Sequence, residues 1–146
     1  METSRYLYRA KIKGWKESGL KNWAYGAYYK FLPYTPYPVN PRNIKEEDYR
    51  HLMVCGGPSD WGMPRDLQVL DIDLETLCQC TGLKDSNNTP IYENDIVRYR
   101  PKEDTEWSVA TIKWGDEFDY PAFDLDKTDV FDCNALSHIF NCDYLI

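Results

Sequence analysis

Residues 75–100, Glu75-Thr-Leu-Cys-Gln-Cys-Thr-Gly-Leu-Lys-Asp-Ser-Asn-Asn-Thr-Pro-Ile-Tyr-Glu-Asn-Asp-Ile-Val-Arg-Tyr-Arg100, constrain the fold more than any other stretch. Strand-forming and turn-forming residues alternate here in short blocks. Thr81-Gly82 ends a first strand, and Asn87-Asn88 stands where a two-residue hairpin turn needs positive φ. Ile96-Val97-Arg98-Tyr99 is a β-branched and aromatic strand that Pro101 closes. The expectation is a strand, a tight asparagine turn, and a second hairpin that opens a small β-barrel.

The rest of the chain supports a mainly β reading. At 146 residues a chain buries roughly 68–70% of its extended surface and needs neither disulfide nor metal to fold. Its bulk is aromatic, with 12 Tyr, 5 Trp and 5 Phe, residues that favour strands and half-buried or binding surfaces. The five cysteines (Cys55, Cys78, Cys80, Cys133, Cys142) are odd in number and lack framework spacing. The charged start Met1-Glu-Thr-Ser-Arg-Tyr6 has no apolar signal region, so reduced thiols in the cytoplasm are expected. No apolar run approaches the ~18 residues a membrane span requires.

Tyr6, Tyr8, Ala10 and Ile12 alternate with Arg5, Leu7, Arg9 and Lys11, and Trp23, Tyr25, Ala27, Tyr29 and Phe31 alternate again. These read as two strands paired in an antiparallel ribbon. Four prolines in the stretch 33–41 make it a loop, either a rigid surface excursion or a docking segment. Asn43 and Glu46 have capping-box spacing for a brief helix. Arg50–Cys55 and Leu67–Asp73 read as strands, with a loop carrying Trp61 between them. Trp107–Trp114 is a strand ending at Gly115-Asp116, with shorter strands at 121–125 and 130–131 and near the end of the chain. Five or so strands within about 60 residues suggest a small closed barrel of SH3-like size.

Glu75-Thr76 through Gln79, Thr81-Gly82-Leu83-Lys84-Asp85 and Ile91-Tyr92-Glu93-x-Asp95-Ile96-Val97 resemble the signature of the YopX family of phage and prophage proteins. Arg9-Ala-x-x-x-Gly-Trp and Ile139-Phe-Asn-x-x-Tyr-Leu resemble its ends more loosely. The chain departs twice: Asn87-Asn88 stands for the family's Asn-Gly, and Glu93-Asn94-Asp95 for its Glu-Gly-Asp. Asparagine is the non-glycine residue that best tolerates left-handed backbone, so both departures support the same turns. The resemblance implies an α+β N-terminal part, a C-terminal SH3-like barrel and oligomers, and implies no reaction. The expected organisation is an α+β, mainly β chain: an aromatic antiparallel sheet over residues 1–89, including the proline-rich loop 33–41, then an SH3-like barrel over 90–146.

Few residues are arranged for chemistry. Cys78-x-Cys80 puts two thiols on one strand face, but structural zinc needs a second such pair, and His51 and His138 are isolated. Asp71-Ile-Asp73-Leu-Glu75 opens like a calcium loop, then has Thr76 where glycine belongs and Gly82 where the last glutamate belongs. His51 lies near Asp48, and His138 follows Ser137. No nucleophile elbow or phosphate-cradling glycine loop is present. The expectation is no catalytic residue, no metal, no cofactor and no enzyme activity.

Charge divides the chain. Residues 1–50 carry ten basic and five acidic side chains, net +5; residues 51–146 carry seven and nineteen, net −12. Arg5, Arg9, Lys11 and Lys13 beside Trp23 and Tyr25 suit a single-strand nucleic-acid binder, or else solvate one face of a ribbon whose tyrosines form the core. The overall −7 argues against strong duplex binding. Asp116, Glu117, Asp119, Asp124, Asp126, Asp129 and Asp132 could line one barrel face, either mimicking nucleic-acid charge toward a host protein or keeping the chain soluble. The leading expectation is a self-associating interaction module acting in the cytoplasm, with a host protein as a possible partner.

Overall fold

The computed structural model describes residues 7–18, 23–34, 41–57, 62–101, 106–115, 122–126 and 142–145. They form a mainly β chain with antiparallel sheets and little helix. Contacts divide it into two units, Tyr6–Leu77 and Cys78–Ile146, the latter with Met1–Arg5. The boundary expected between residues 89 and 90 falls between two strands that pair with each other.

In the first unit the strands are β1 (Tyr8–Lys11), β2 (Trp23–Phe31), β3 (Arg50–Gly56) and β4 (Leu67–Asp71), with the single-turn helix α1 (Trp15–Ser18) between β1 and β2. They lie in the order β4-β3-β2-β1, each pair antiparallel. The ribbon of β1 and β2 forms as expected, with Arg9 opposite Tyr25 and Lys11 opposite Trp23. A bridge between Ile12 and Ile72 ties the end of β1 to the end of β4. There the Lys13 N–H donates to the Asp71 carbonyl and the Asp73 N–H to the Lys11 carbonyl, both at 2.9 Å. The sheet therefore curls. Its concave face buries Ala10, Ala24, Met53 and Ile72, with Tyr8, Tyr28, Leu70 and Leu77 packed around them.

Small residues make that curl possible. A Cβ added at Gly26 would lie 2.1 Å from the Val54 carbonyl oxygen and 3.1 Å from the Cys55 Cβ. Only glycine fits where β2 comes this close to β3.

The expected helix near Asn43 is replaced by two 3₁₀ turns, Pro41–Asn43 and Glu46–Asp48. The cap is Lys45, whose backbone N–H donates to the Asp48 carboxylate at 2.8 Å. Asn43 cannot serve, because it already closes the preceding turn. Most of the proline-rich loop 33–41, Trp61, and the expected strand at 130–131 lie outside the described residues.

The second unit contains β5 (Cys78–Lys84), β6 (Pro90–Tyr92), β7 (Ile96–Pro101), β8 (Ser108–Trp114), β9 (Phe123–Asp126) and β10 (Cys142–Leu145). β5 and β6 form a hairpin, and the others a four-stranded sheet in the order β10-β7-β8-β9. Alternation along β7 and β8 sends Val97, Tyr99, Ala110 and Ile112 into a core with Ile91 and Leu125, while Ile96 and Val109 face outward. Cys78, Cys80 and Tyr92 form a second buried cluster. Among the described residues the sheet is open: β10 and β9 stand at opposite edges and do not pair. The closed SH3-like barrel is therefore not seen there.

The turns between these strands differ in detail from expectation. β5 does not end at Thr81-Gly82; it passes through with a register shift, Gly82 taking φ 80°. A bulge accommodates the left-handed glycine without breaking the strand. The following turn is a three-residue loop, Ser86–Asn88. The Asn88 N–H donates to the Asp85 carbonyl at 2.9 Å, and Asn88 alone turns left-handed at φ 66°. The buried Asp85 carboxylate accepts the N–H groups of Asn87 and Thr89 at 2.9 and 2.7 Å, which holds the longer form. In the next turn Asn94 takes φ 61°, and the buried Asp95 carboxylate accepts the Tyr92 N–H at 2.8 Å. Both asparagines that stand for family glycines thus occupy left-handed backbone.

Two outcomes follow. Gly26→Ala is expected to destabilise the protein by about 3 kcal/mol or more, since overpacking against backbone has nowhere to relax; a urea melt unchanged from the parent would refute this. Asn88→Ala is expected to cost about 1 kcal/mol, whereas Asn88→Gly stays within about 0.5 kcal/mol of the parent. Equal midpoints for the alanine and glycine variants would show that left-handed strain is not what asparagine relieves.

Candidate functional site

Strand parity decides what the first unit presents outward. In β2 the residues Ala24, Gly26 and Tyr28 point into the concave core, so Trp23, Tyr25, Ala27, Tyr29 and Phe31 point away from it. The aromatic alternation therefore marks the outer face, and the tyrosines of that alternation do not form the core. Cross-strand register assembles the face row by row. Arg9 sits opposite Tyr25, Ala27 opposite Val54 and Val54 opposite Val69; Tyr29 is opposite Leu52, and Leu52 opposite Asp71. Tyr25 is 52% exposed, Tyr29 56%, Val69 57% and Leu67 78%, which makes an extended apolar surface. Tyr29 and Phe31 stack with centroids 6.3 Å apart.

At the β1 end this face is basic, and its cations lie against rings. The Arg9 guanidinium is 5.0 Å from the Trp23 ring centre, and the Lys11 ammonium is 3.2 Å from that of Trp15 and 5.4 Å from that of Trp23. Asp73 fixes Trp15 by accepting its indole N–H at 2.9 Å. Sequence reading paired Arg9 and Lys11 with Trp23 and Tyr25, and the structure brings these four together. Lys13 lies beyond the strand, beside a shallow open cleft of about 350 Å³ lined also by Trp15, Lys16 and Asp73. Arg5 is outside the described residues. For a single-strand binder, the Trp15 and Trp23 faces nearest these cations are already occupied by the protein's own charges.

A polar chain that spacing did not reveal runs from the concave side to its rim. The Tyr28 hydroxyl meets His51 Nδ1 at 2.7 Å, and the two rings stack at an interplanar angle of 5°. His51 Nε2 lies 3.5 Å from the Glu46 carboxylate, which accepts from Lys30 at 2.7 Å. Burial raises the Tyr28 pKa, and the hydrogen bond that Lys30 donates to Glu46 raises that of Lys30. His51 thus contacts Tyr28 and Glu46, while its sequence neighbour Asp48 caps a turn. Pairing register, which places Lys30 opposite His51, is the signal that would have found the group.

Of the seven acids singled out on the second unit, Asp116, Glu117, Asp119, Asp129 and Asp132 lie outside the described residues. Asp124 is buried at 3% exposure, and Asp126 pairs with Lys113 at 2.8 Å. Two positions apart on β9, they lie on the same face of that strand, opposite to the one that carries Leu125 into the core. Cys55, Cys78 and Cys80 form no disulfide. Among the described residues no group of three or more His, Cys, Asp or Glu gathers as a metal would require, and no helix is long and apolar enough to cross a membrane.

One ion pair borders the apolar face. Arg50 donates to Asp71 through Nε at 3.0 Å and through a second guanidinium nitrogen. This hydrogen bonding holds the Asp71 carboxyl below its ordinary range. A depressed carboxylate stabilises the fold above its unfolded pKa, near 4, and loses that contribution as pH falls through the lower folded value. Asp71→Asn is therefore expected to lower the melting temperature at pH 7 and to match the parent near pH 2. A deficit of equal size at both pH values would contradict the assignment.

A family model described as YopX protein matches residues 40–139 of this chain. No curated protein and no solved structure matches it.

Proposed function

This chain belongs to the YopX family, and from that premise we propose that it works as a non-enzymatic interaction and assembly module, associating with further copies of itself through the outer face of its N-terminal sheet. The observation that carries the reading is the continuity of that face: Trp23, Tyr25, Tyr29 and Phe31 run along one side of β2, and Val54, Val69 and Leu67 extend it across β3 and β4. Scattered exposed hydrophobics need no explanation, but a contiguous sheet face does. Tyrosine, tryptophan, phenylalanine and arginine are also the residues enriched at the centres of protein interfaces. The second unit, with its small curved meander around Ile112 and Val97, we read as the SH3-like part of such a module. A phage or prophage protein working in the host cytoplasm, with its cysteines reduced, fits the same picture.

Sedimentation across a concentration series tests this. Self-association is expected to appear as a mass rising with concentration and to weaken in Tyr29→Glu, which places a charge in the middle of the face. A monomer at every concentration would remove the assembly reading.

A further inference from the structure

β4 ends the sheet, and its register with β3 shows which way its backbone points. The Ile72 N–H donates to the His51 carbonyl, and the Gly57 N–H to the Asp66 carbonyl. With Met53 opposite Leu70 and Cys55 opposite Gln68, the residues bonded to β3 are those at 66, 68, 70 and 72. The N–H and C=O groups of Leu67 and Val69 therefore point to the open edge. The Asp71 carbonyl is taken by Lys13. Among the described residues no strand pairs with the Leu67–Val69 stretch of that edge, which the Ile12–Ile72 bridge meets only past Val69. The same two residues carry exposed apolar side chains, Leu67 at 78% and Val69 at 57%. An open edge with apolar side chains is a template for another strand.

We propose that this edge pairs antiparallel with the same edge of a second copy, about a two-fold axis at Gln68. The inference rests on reading the outer face as an assembly surface, and adds how two copies join. Self-complementarity selects the occupant. Setting Leu67 of one copy opposite Val69 of the other, twice, gives every outward N–H and C=O of these two residues a partner. Gln68 then meets Gln68, so two amides, each both donor and acceptor, face each other. Shifting the axis by one residue, to Val69, would set Leu67 against Asp71, whose carbonyl Lys13 already takes. Pairing at Gln68 also joins the two outer faces into one continuous aromatic surface.

The geometry makes a covalent test available. Gln68 is the position that meets itself, in a non-hydrogen-bonded pair with Cα atoms roughly 4.5 Å apart, a separation a disulfide spans. Because Cys55 lies opposite Gln68 within one chain, the test uses a Cys55→Ser background. Under mild oxidation Gln68→Cys is expected to give a disulfide-linked dimer well above the background variant, whereas Asp66→Cys, which faces Leu70, does not. In sedimentation Val69→Lys, an exposed position on an edge, is expected to raise the dimer dissociation constant about tenfold or more while circular dichroism stays that of the parent. If association survives Val69→Lys, Gln68→Cys gives no extra dimer and Tyr29→Glu still disrupts association, the edge pairing is overturned and the outer face alone stands. A parent protein that is monomeric at all concentrations, with no crosslink at Gln68→Cys, overturns both.

Discussion

The close approach of β2 and β3 at Gly26 decides which side of the N-terminal sheet is inside. With a carbonyl 2.1 Å from where a Cβ would stand, the position admits no side chain, and residues of the same parity must line the tight side of the curl. Ala10 and Ala24 lie there with it. Because side chains alternate with a period of two, this choice fixes every other residue of the strand. The bulky alternation from Trp23 to Phe31 is sent outward, where a sheet has room for rings. An exposed aromatic face is thus a consequence of how strongly the sheet bends, and the bridge from Ile12 to Ile72 records that bend.

The second unit depends on a different device, two buried carboxylates in adjacent turns. Asp85 accepts the backbone N–H groups of Asn87 and Thr89, and Asp95 that of Tyr92, donors that lie in or beside the turns. A buried carboxylate is costly unless its oxygens are satisfied, and charged acceptors make the stronger hydrogen bonds. Each aspartate is followed at three residues' distance by, or directly follows, an asparagine in left-handed backbone. The most recognisable stretch of the chain is therefore a folding signal. It positions Ile91, Val97 and Tyr99 for the core.

Strand positions were largely legible because alternation and turn residues report backbone directly. β2, β3 and β7 lie where period-two patterning sets them. What the patterning could not tell is the sign of the pattern: along β2 both parities contain apolar residues, Ala24 and Gly26 on one side and Tyr25 and Tyr29 on the other. Hydrophobicity alone favours burying the rings, whereas the curl favours burying the small residues. The asparagine turn is one residue longer than the two-residue form expected of Asn87-Asn88 for a related reason. The Asp85 side chain competes as an acceptor for turn amides, and no propensity scale for Asn87-Asn88 contains that competition. The polar chain from Tyr28 through His51 to Glu46 needed strand register, since its members are far apart in sequence.

The basic residues of the outer face bear on how that face can associate. Arg9 and Lys11 lie on the same side as the rings, and a net-positive segment would ordinarily resist burial through the cost of desolvating its charges. Here both are laid against tryptophan, and Trp15 is itself held by Asp73. A cation on a ring has exchanged part of its hydration for the ring's quadrupole and has given up much of its rotamer freedom in the isolated chain. Less remains to be lost on association, because side-chain ordering is one of the main costs of forming an interface. The same arrangement that removes these tryptophan faces from stacking with a base makes the neighbouring aromatic surface more rigid, and a rigid aromatic surface is what a protein partner can bury.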